Sequence, residues 1–210
     1  MTIGQQYPQL PDASIASYSF TDLATAVGYE TYYLAVVRTK TQSAAEADRI
    51  LSPIIIASDT AVKEETTIIA GAGVTRNYDS STFNLPRTIR GDLIFSTTLE
   101  ANTNGSPTLN VTFKKVDADS NETTIALFSG GQTLSANTPH TQTIKKATTQ
   151  TLVKKGEKLR LTIQQIADAT DELFAYGSDP LDRNGSQIIV DSTTGASTIT
   201  KILVPFVPNR

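Results

Sequence analysis

The amino-acid sequence predicts an all-β protein, folded as a single β-sandwich of the jelly-roll type that follows an extended N-terminal arm. Three observations lead to this fold class. Threonine accounts for 32 of the 210 residues, and its β-branched side chain favours the pleated, half-buried surface of a sheet. Short apolar segments alternate with turn residues and not with helical patterns. The length also fits one large sandwich domain.

The N-terminal arm comprises residues 1–18, and the sandwich domain comprises residues 19–210. The arm is polar, contains two prolines, and shows neither helical nor strand periodicity. A segment of this kind becomes ordered when it lies on a neighbouring subunit. We therefore predict that Tyr7 and Leu10 of the arm contribute to a protein interface.

Two elements are predicted next along the chain. The segment from Glu30 to Thr39 is continuously apolar and aromatic in its middle, which is typical of a buried strand. In the segment from Ser43 to Leu51, Ser43 and Glu46 have the spacing of a capping box, which predicts one short helix.

The middle of the chain has the clearest strand pattern. Residues 109–113 alternate between apolar and polar side chains, as in a strand with one dry and one wet face. The turn residues at 117–122 predict a hairpin between this strand and the one at 123–130. The pair Asn104–Gly105, which precedes both strands, is a second hairpin signal.

Two further strands are predicted in the C-terminal half. Residues 159–163 alternate in the same way and follow a turn at Lys155–Gly156. The last strand covers Thr200–Pro208, where Pro205 lacks a backbone donor and therefore predicts an edge position or a strand end. This strand lies far along the chain from its expected partners, which is typical of Greek-key or jelly-roll wiring.

The composition excludes several classes of function. The net charge of -3 is too small to indicate nucleic acid or an anionic membrane as a partner. There is no cysteine, so disulfides and zinc–sulfur sites are impossible. The N-terminus lacks the pattern of a signal peptide, and no apolar stretch approaches the roughly 20 residues that span a bilayer. We expect a soluble protein made in a reducing cytosol.

Few residues have the arrangement of a catalytic or metal site. The one histidine, His140, lies in a polar loop without an identifiable acid and nucleophile. Asp117 and Asp119 have the opening spacing of a calcium loop, but its glycine and distal glutamate are missing. Asp179 and Asp182 belong to a second oxygen-rich cluster. We predict no catalytic residue and no cofactor, with these four aspartates as the alternative metal ligands.

Four segments resemble, in the same order, pieces of a family of tailed-bacteriophage virion structural proteins. They are SFTDLATAVGYETYYLAVV (19–37), KKGEKLRLTIQ (154–164), FAYGSDPLDRNG (174–185) and KILVPFVP (201–208). The resemblance implies a capsid decoration or cement protein located in the virion and synthesised in the host cytoplasm. It implies no enzymatic activity.

Such a protein would bind and stabilise the shell of the major capsid protein as a homo-oligomer, with a trimer as the expected form. From charge and accessibility, we expect Lys145 and Lys146 to face an acidic capsid surface. Asp182 and Arg183 are expected to pair locally or across a subunit boundary. A tail, fibre or connector module, with glycan binding as one role, stays open as an alternative. So does a small jelly-roll hydrolase with paired carboxylates at residues 168–172.

Overall fold

A computed structural model describes residues 28–37, 48–54, 63–68, 73–101, 104–131, 133–136, 138, 140–166, 168, 172–177 and 200–207. These residues contain 13 strands and no helix, which confirms the predicted all-β class. The predicted arm at residues 1–18 and its boundary with the sandwich domain lie outside this set. The jelly-roll connectivity stays a prediction.

The strands are numbered in chain order. They are β1 (Gly28–Val37), β2 (Asp48–Ser52), β3 (Lys63–Ile68), β4 (Gly73–Asp79), β5 (Arg87–Ile89), β6 (Asp92–Ala101), β7 (Thr108–Val116), β8 (Glu122–Gly131), β9 (His140–Ala147), β10 (Thr151–Val153), β11 (Lys158–Ile166), β12 (Glu172–Gly177) and β13 (Lys201–Val207).

The strands form one large sheet with two halves. The first half has the order β9-β6-β13-β1-β2, and the second half has the order β4-β11-β7-β8. Neighbours within each half are antiparallel, and one parallel bridge between Ile50 and Asp79 joins β2 to β4. The short pair β5–β10 extends the first half beside β13. The pair β3–β12 extends it at the end of β6.

The inner faces of the two halves pack against each other and form one hydrophobic core. The alternation at residues 109–113 and 159–163 places apolar side chains in this core, which confirms the predicted strands β7 and β11. Phe95 of the first half contacts Phe128 of the second half, with ring centroids 5.9 Å apart. The halves are therefore held together mainly by apolar burial.

The short helix predicted at Ser43–Leu51 is wrong, because residues 48–52 form β2. This strand pairs with β1, and Leu51 is buried in the shared core. Tertiary pairing thus sets the structure of residues 48–52, whereas Ser43 and Glu46, the two residues of the predicted capping box, lie outside the described residues.

The predicted edge position of Pro205 is also wrong, because β13 lies between β1 on one side and β6 and β5 on the other. On that second side, β6 pairs with residues 201–203 and β5 pairs with residues 206–207. The Pro205 carbonyl faces the gap between them and accepts the Arg90 N–H at 3.1 Å. Since the amide and carbonyl of a strand residue point to the same side, the missing donor faces this gap too.

Two of the three predicted turns are confirmed. Strands β7 and β8 form a hairpin through residues 117–121, and Gly156 has a φ of 86° in the turn before β11. The hairpin predicted at Asn104–Gly105 is wrong, because β6 and β7 belong to different halves of the sheet. Neither residue of that pair has the positive φ of a type I′ turn, and Gly105 bridges Leu134 instead.

Candidate interaction surface

The outer face of the first half carries apolar and aromatic side chains. In β1, Tyr32 and Leu34 point into the core, so strand alternation turns Tyr29, Thr31 and Tyr33 outwards. The pairing register continues this row across the sheet, from Thr31 to Leu203, from Leu203 to Ile94, and from Ile94 to Lys145. A second row leads from Val207 through Thr88 to Leu152. We call this surface the tyrosine face and define it by Tyr29, Tyr33, Ile94, Leu152, Leu203 and Val207.

The tyrosine face is in contact with solvent. Tyr29 is 40% exposed and Leu152 is 47% exposed, while the other four members are partly exposed. Tyr29 and Tyr33 are four residues apart on one strand, so they are about 13 Å apart along it. Apolar and aromatic side chains grouped on one exposed face make that face a candidate site of interaction with another molecule.

Charged side chains lie at the rim of the tyrosine face. The Lys145 ammonium is 2.8 Å from a carboxylate oxygen of Asp92, and this hydrogen bond raises the pKa of Lys145. Lys201 is partly exposed and lies opposite Tyr33. Lys146 is also exposed, but it is aligned with the core residue Leu93 and therefore lies on the other side of β9. The structure thus separates the two lysines that were predicted to act together.

The outer face of the second half carries a network of ion pairs beside the exposed Leu127. The Asp79 carboxylate accepts hydrogen bonds from Arg160 Nε and Nη2, both at 2.6 Å, and from Lys158 Nζ at 2.6 Å. Glu122 accepts from Lys114 Nζ and from Arg160 Nη1, both at 2.7 Å. These five charged side chains form what we call the ion-pair face.

The ion pairs hold both carboxylates in the charged form. Burial raises the pKa of Asp79, but hydrogen bonds from Arg160 and Lys158 outweigh it, so the pKa lies below its ordinary value. The hydrogen bond from Lys114, followed by that from Arg160, lowers the pKa of Glu122. The charges of the ion-pair face therefore satisfy one another at neutral pH.

The predicted aspartate clusters differ in what the structure shows of them. Asp117 Oδ1 accepts the backbone N–H of Asp119 at 3.0 Å and that of Asn121 at 2.8 Å, while Oδ2 accepts Asn121 Nδ2 at 3.0 Å. The side-chain bond from Asn121 is the main cause that lowers the pKa of Asp117. This is the arrangement of an Asx turn. Within the described ranges, no cluster of three or more His, Cys, Asp or Glu side chains is placed to hold a metal. Asp179 and Asp182 lie outside those ranges.

The remaining predicted residues add little to the site. Tyr7, Leu10, Asp182 and Arg183 lie outside the described residues. His140, predicted in a loop, is the exposed first residue of β9. Among the residues that the structure describes, there is also no helix with the length and apolar character needed to cross a lipid bilayer.

The tyrosine face was not among the interface residues that the sequence predicts. The segment from Glu30 to Thr39 is apolar at both odd and even positions, so its pattern indicates burial of both faces of the strand. The sequence does contain one signal for this face. Tyr29 and Tyr33 are four residues apart, so they lie on the same face of the strand. Their outward direction becomes evident only once Tyr32 and Leu34 are seen in the core.

No protein-family model and no curated protein matches the sequence. Among solved structures, the chain is similar to a CocE/NonD family hydrolase from Staphylococcus aureus, with a TM-score of 0.53 and 14% identity over 87% of this chain. An aminopeptidase from the marine sediment archaeon Thaumarchaeota archaeon gives a TM-score of 0.57 and 9% identity over 85% of this chain. An alpha-amino acid ester hydrolase gives a TM-score of 0.50 and 12% identity over 84% of this chain. At such identities the likeness shows the fold alone.

The chain spans 37% of the length of the first two structures and 35% of the length of the third. The prediction that this protein is not an enzyme is wrong, because solved structures that share its fold are hydrolases. The prediction depended on the lack of a catalytic motif and on the resemblance to structural proteins. Neither is sufficient to exclude an enzymatic role for a fold that occurs within enzymes.

Proposed function

We propose that the protein is a structural component of a tailed-bacteriophage virion that decorates and stabilises the capsid shell. The observation that carries this proposal is the tyrosine face. An apolar centre with two tyrosines and a charged rim has the composition of a protein–protein interface. A chain with such a surface is suited to an assembly in which another protein covers it.

The resemblance to virion structural proteins supports the proposal because it falls on the strands that build this face. The segment 19–37 contains β1, and the segment 201–208 contains β13. These adjacent strands provide Tyr29 and Leu203, which lie on the same side of the sheet. The segment 154–164 contains most of β11, in the second half.

The proposed action is mechanical. The tyrosines provide large, rigid contact areas that lose little conformational entropy on binding. Lys145 and Lys201 at the rim steer the face towards an acidic protein surface. Subunits bound across the joints between capsid proteins stabilise the assembled shell by mass action, and an oligomer gains affinity because several copies bind at once.

Co-sedimentation with capsids that lack the protein tests this function. We expect the wild type to sediment with the capsids, and we expect Tyr29→Ser and Leu152→Ser to weaken binding by about tenfold or more, as for anchor residues of interfaces. Leu127→Ser is the matched control, because Leu127 is 50% exposed on the outer face of the second half. A wild-type protein that stays in the supernatant would overturn the proposal. An equal loss in the control would show that the tyrosine face has no special role.

A second candidate function is that of the β-fold part of a hydrolase. It is favoured by the hydrolase structures with TM-scores of 0.53 and 0.57, of which this chain spans 37%. In that case the chain would act within or beside a larger catalytic protein. Esterase and aminopeptidase assays on purified protein and on whole virions distinguish the candidates. Hydrolysis that disappears when the protein is deleted would support this second function, and its absence from both samples would contradict it.

A further inference from the structure

We infer that the tyrosine face binds residues 1–27 of a neighbouring copy of this chain, so that each subunit holds the next one. This inference rests on the proposed function and deepens it, because it names the segment that joins the subunits of the capsid-bound oligomer. Substitutions in the face then weaken capsid binding by reducing the number of copies that bind together. Four properties support it: apolar surface, charge, backbone preference and reach.

The apolar surface of the face requires a cover of matching character. Tyr29 and Leu152 are exposed by 40% and 47%, and they lie in connected rows of outward side chains. Residues 1–27 contain Ile, Leu, Tyr and Phe side chains, Tyr7 and Leu10 among them, spaced between polar residues. Burial of such side chains against the face removes apolar surface from water and thereby stabilises the contact.

The charges of the segment complement those at the rim of the face. Residues 1–27 contain Asp12 and Asp22 but no lysine or arginine. The rim presents the partly exposed Lys201 together with Lys145, whose side chain is 67% exposed and forms an ion pair with Asp92. Opposite charges at the edge of an apolar contact steer the encounter and fix its register.

The backbone preference of the segment favours an extended conformation. Pro8 and Pro11 disfavour a helix at and just before their positions. An extended segment that crosses a sheet face places every second side chain against it. Tyr7 lies next to Pro8, and Leu10 lies next to Pro11, so both anchors flank residues with restricted backbones.

The reach of the segment suits a neighbouring subunit. It joins the described structure at Gly28, the first residue of β1, beside Tyr29 of the face. A segment of this length extends up to about 90 Å, whereas the strands β1, β13, β6 and β9 span about 15–20 Å across the sheet. The segment is therefore long enough to extend beyond its own face onto a neighbouring copy. A contact of this heterologous kind closes into a ring under rotational symmetry.

Cysteine crosslinking tests the inference directly. The chain has no cysteine, so an introduced cysteine is the sole thiol of each variant. Gln9→Cys in the full chain is mixed with a size-tagged Thr143→Cys chain, and a short bis-maleimide is added. Thr143 is exposed on the same side of β9 as Lys145, and both variants keep every residue invoked above. We expect a product that contains one chain of each kind.

The matched control mixes Gln9→Cys with Leu127→Cys on the outer face of the second half. We expect at least about tenfold less crosslinked product than with Thr143→Cys, because the segment has no contact with this face that holds it there. Equal crosslinking to both faces, or none to Thr143→Cys, would overturn the inference. A double variant with Gln9→Cys and Thr143→Cys, diluted among wild-type chains, must not crosslink within itself. If it does, the segment covers its own face and the neighbour is excluded.

Capsid binding separates this inference from the proposed function. Chains that bind capsids but give no crosslink between Gln9→Cys and Thr143→Cys would contradict the binding of residues 1–27 to a neighbouring face. They would leave the proposed decoration function standing. Chains that crosslink as expected but do not sediment with capsids would contradict the decoration function and leave the subunit contact standing.

Discussion

The tyrosine face and the ion-pair face are built on the same kind of antiparallel strands, yet their chemistry is opposite. On the ion-pair face, Arg160 connects Asp79 with Glu122, so that the charges satisfy one another and the surface is stable in water. On the tyrosine face, Tyr29 and Leu152 expose apolar surface that nothing in the described residues satisfies in this way. The difference teaches which outer face of the sheet offers apolar surface that a partner could cover. The predictions below test this comparison, from the largest effect to the smallest.

The largest loss of stability is expected from substitutions in the hydrophobic core between the two halves of the sheet. Phe95 of the first half and Phe113 of the second half are both 0% exposed. Phe95→Ala and Phe113→Ala should each lower the free energy of unfolding by about 3–5 kcal/mol, because each leaves a cavity in a packed interior. Urea unfolding monitored by circular dichroism measures both. A transition that splits into two in either variant would show that the halves are not one cooperative unit.

A smaller loss of stability is expected from removal of a charged side chain, and its size should differ between the two faces. Arg160→Met removes the partner of two carboxylates and should lower the free energy of unfolding by about 1–3 kcal/mol. Lys145→Met removes one exposed partner of Asp92 and should leave the free energy of unfolding unchanged within the error of the measurement. The same urea experiment gives both values. Equal losses would contradict the idea that the ion-pair face alone is stabilised by its charges.

Acid should weaken the ion-pair face in a way that depends on Asp79. The pKa values of Asp79 and Glu122 are lowered in the folded state. Their contribution to stability is therefore complete above the unfolded pKa of about 4 and is lost as the pH falls through the folded value. We expect the free energy of unfolding to fall more steeply below about pH 5 in the wild type than in Asp79→Asn. Parallel pH profiles of the two proteins would contradict the assignment.

The smallest change in stability is expected for one exposed leucine on the outer face of each half. Leu152→Ser and Leu127→Ser should each alter the free energy of unfolding by about 0.5 kcal/mol or less, as is usual for exposed side chains. Their effects on self-association should differ, with analytical ultracentrifugation showing weaker oligomers for Leu152→Ser alone. Oligomers weakened equally by both substitutions would remove the distinction between the faces.

The parts of the fold that the sequence predicts are those decided locally. Residues 109–113 and 159–163 alternate strictly because one side of each strand contacts water, and both strands are where the pattern predicts them. The position of Pro205 could not be predicted, because it depends on a change of neighbour from β6 to β5. The prediction of a hairpin at Asn104–Gly105 was wrong because the chain passes from one half of the sheet to the other at that point. Such pairings depend on residues far away along the chain.

The candidate site was predictable only in part. Lys145 was expected at an interface and lies at the rim of the tyrosine face. Tyr29 and Tyr33 were not identified, because the middle of the segment from Glu30 to Thr39 is apolar at odd and even positions alike. Tyr7 and Leu10 lie outside the described residues and stay predictions, as does the virion role. The fold class can be predicted from the composition and from the alternation of apolar and polar residues. Which side of a strand faces outwards depends on the strands that pair with it and pack against it.

The central place of β13 has a consequence for the order of events during synthesis on the ribosome. The strands of the second half are complete once Ile166 has been added, so they can pair while the chain is still growing. Strand β1 pairs with β13, which is translated about 170 residues later and thus roughly 10–30 s later at usual elongation rates. During that interval the apolar residues of β1 are open to chaperones. Nascent chains stalled just before Lys201 should therefore be captured by chaperones far more readily than released, full-length ones.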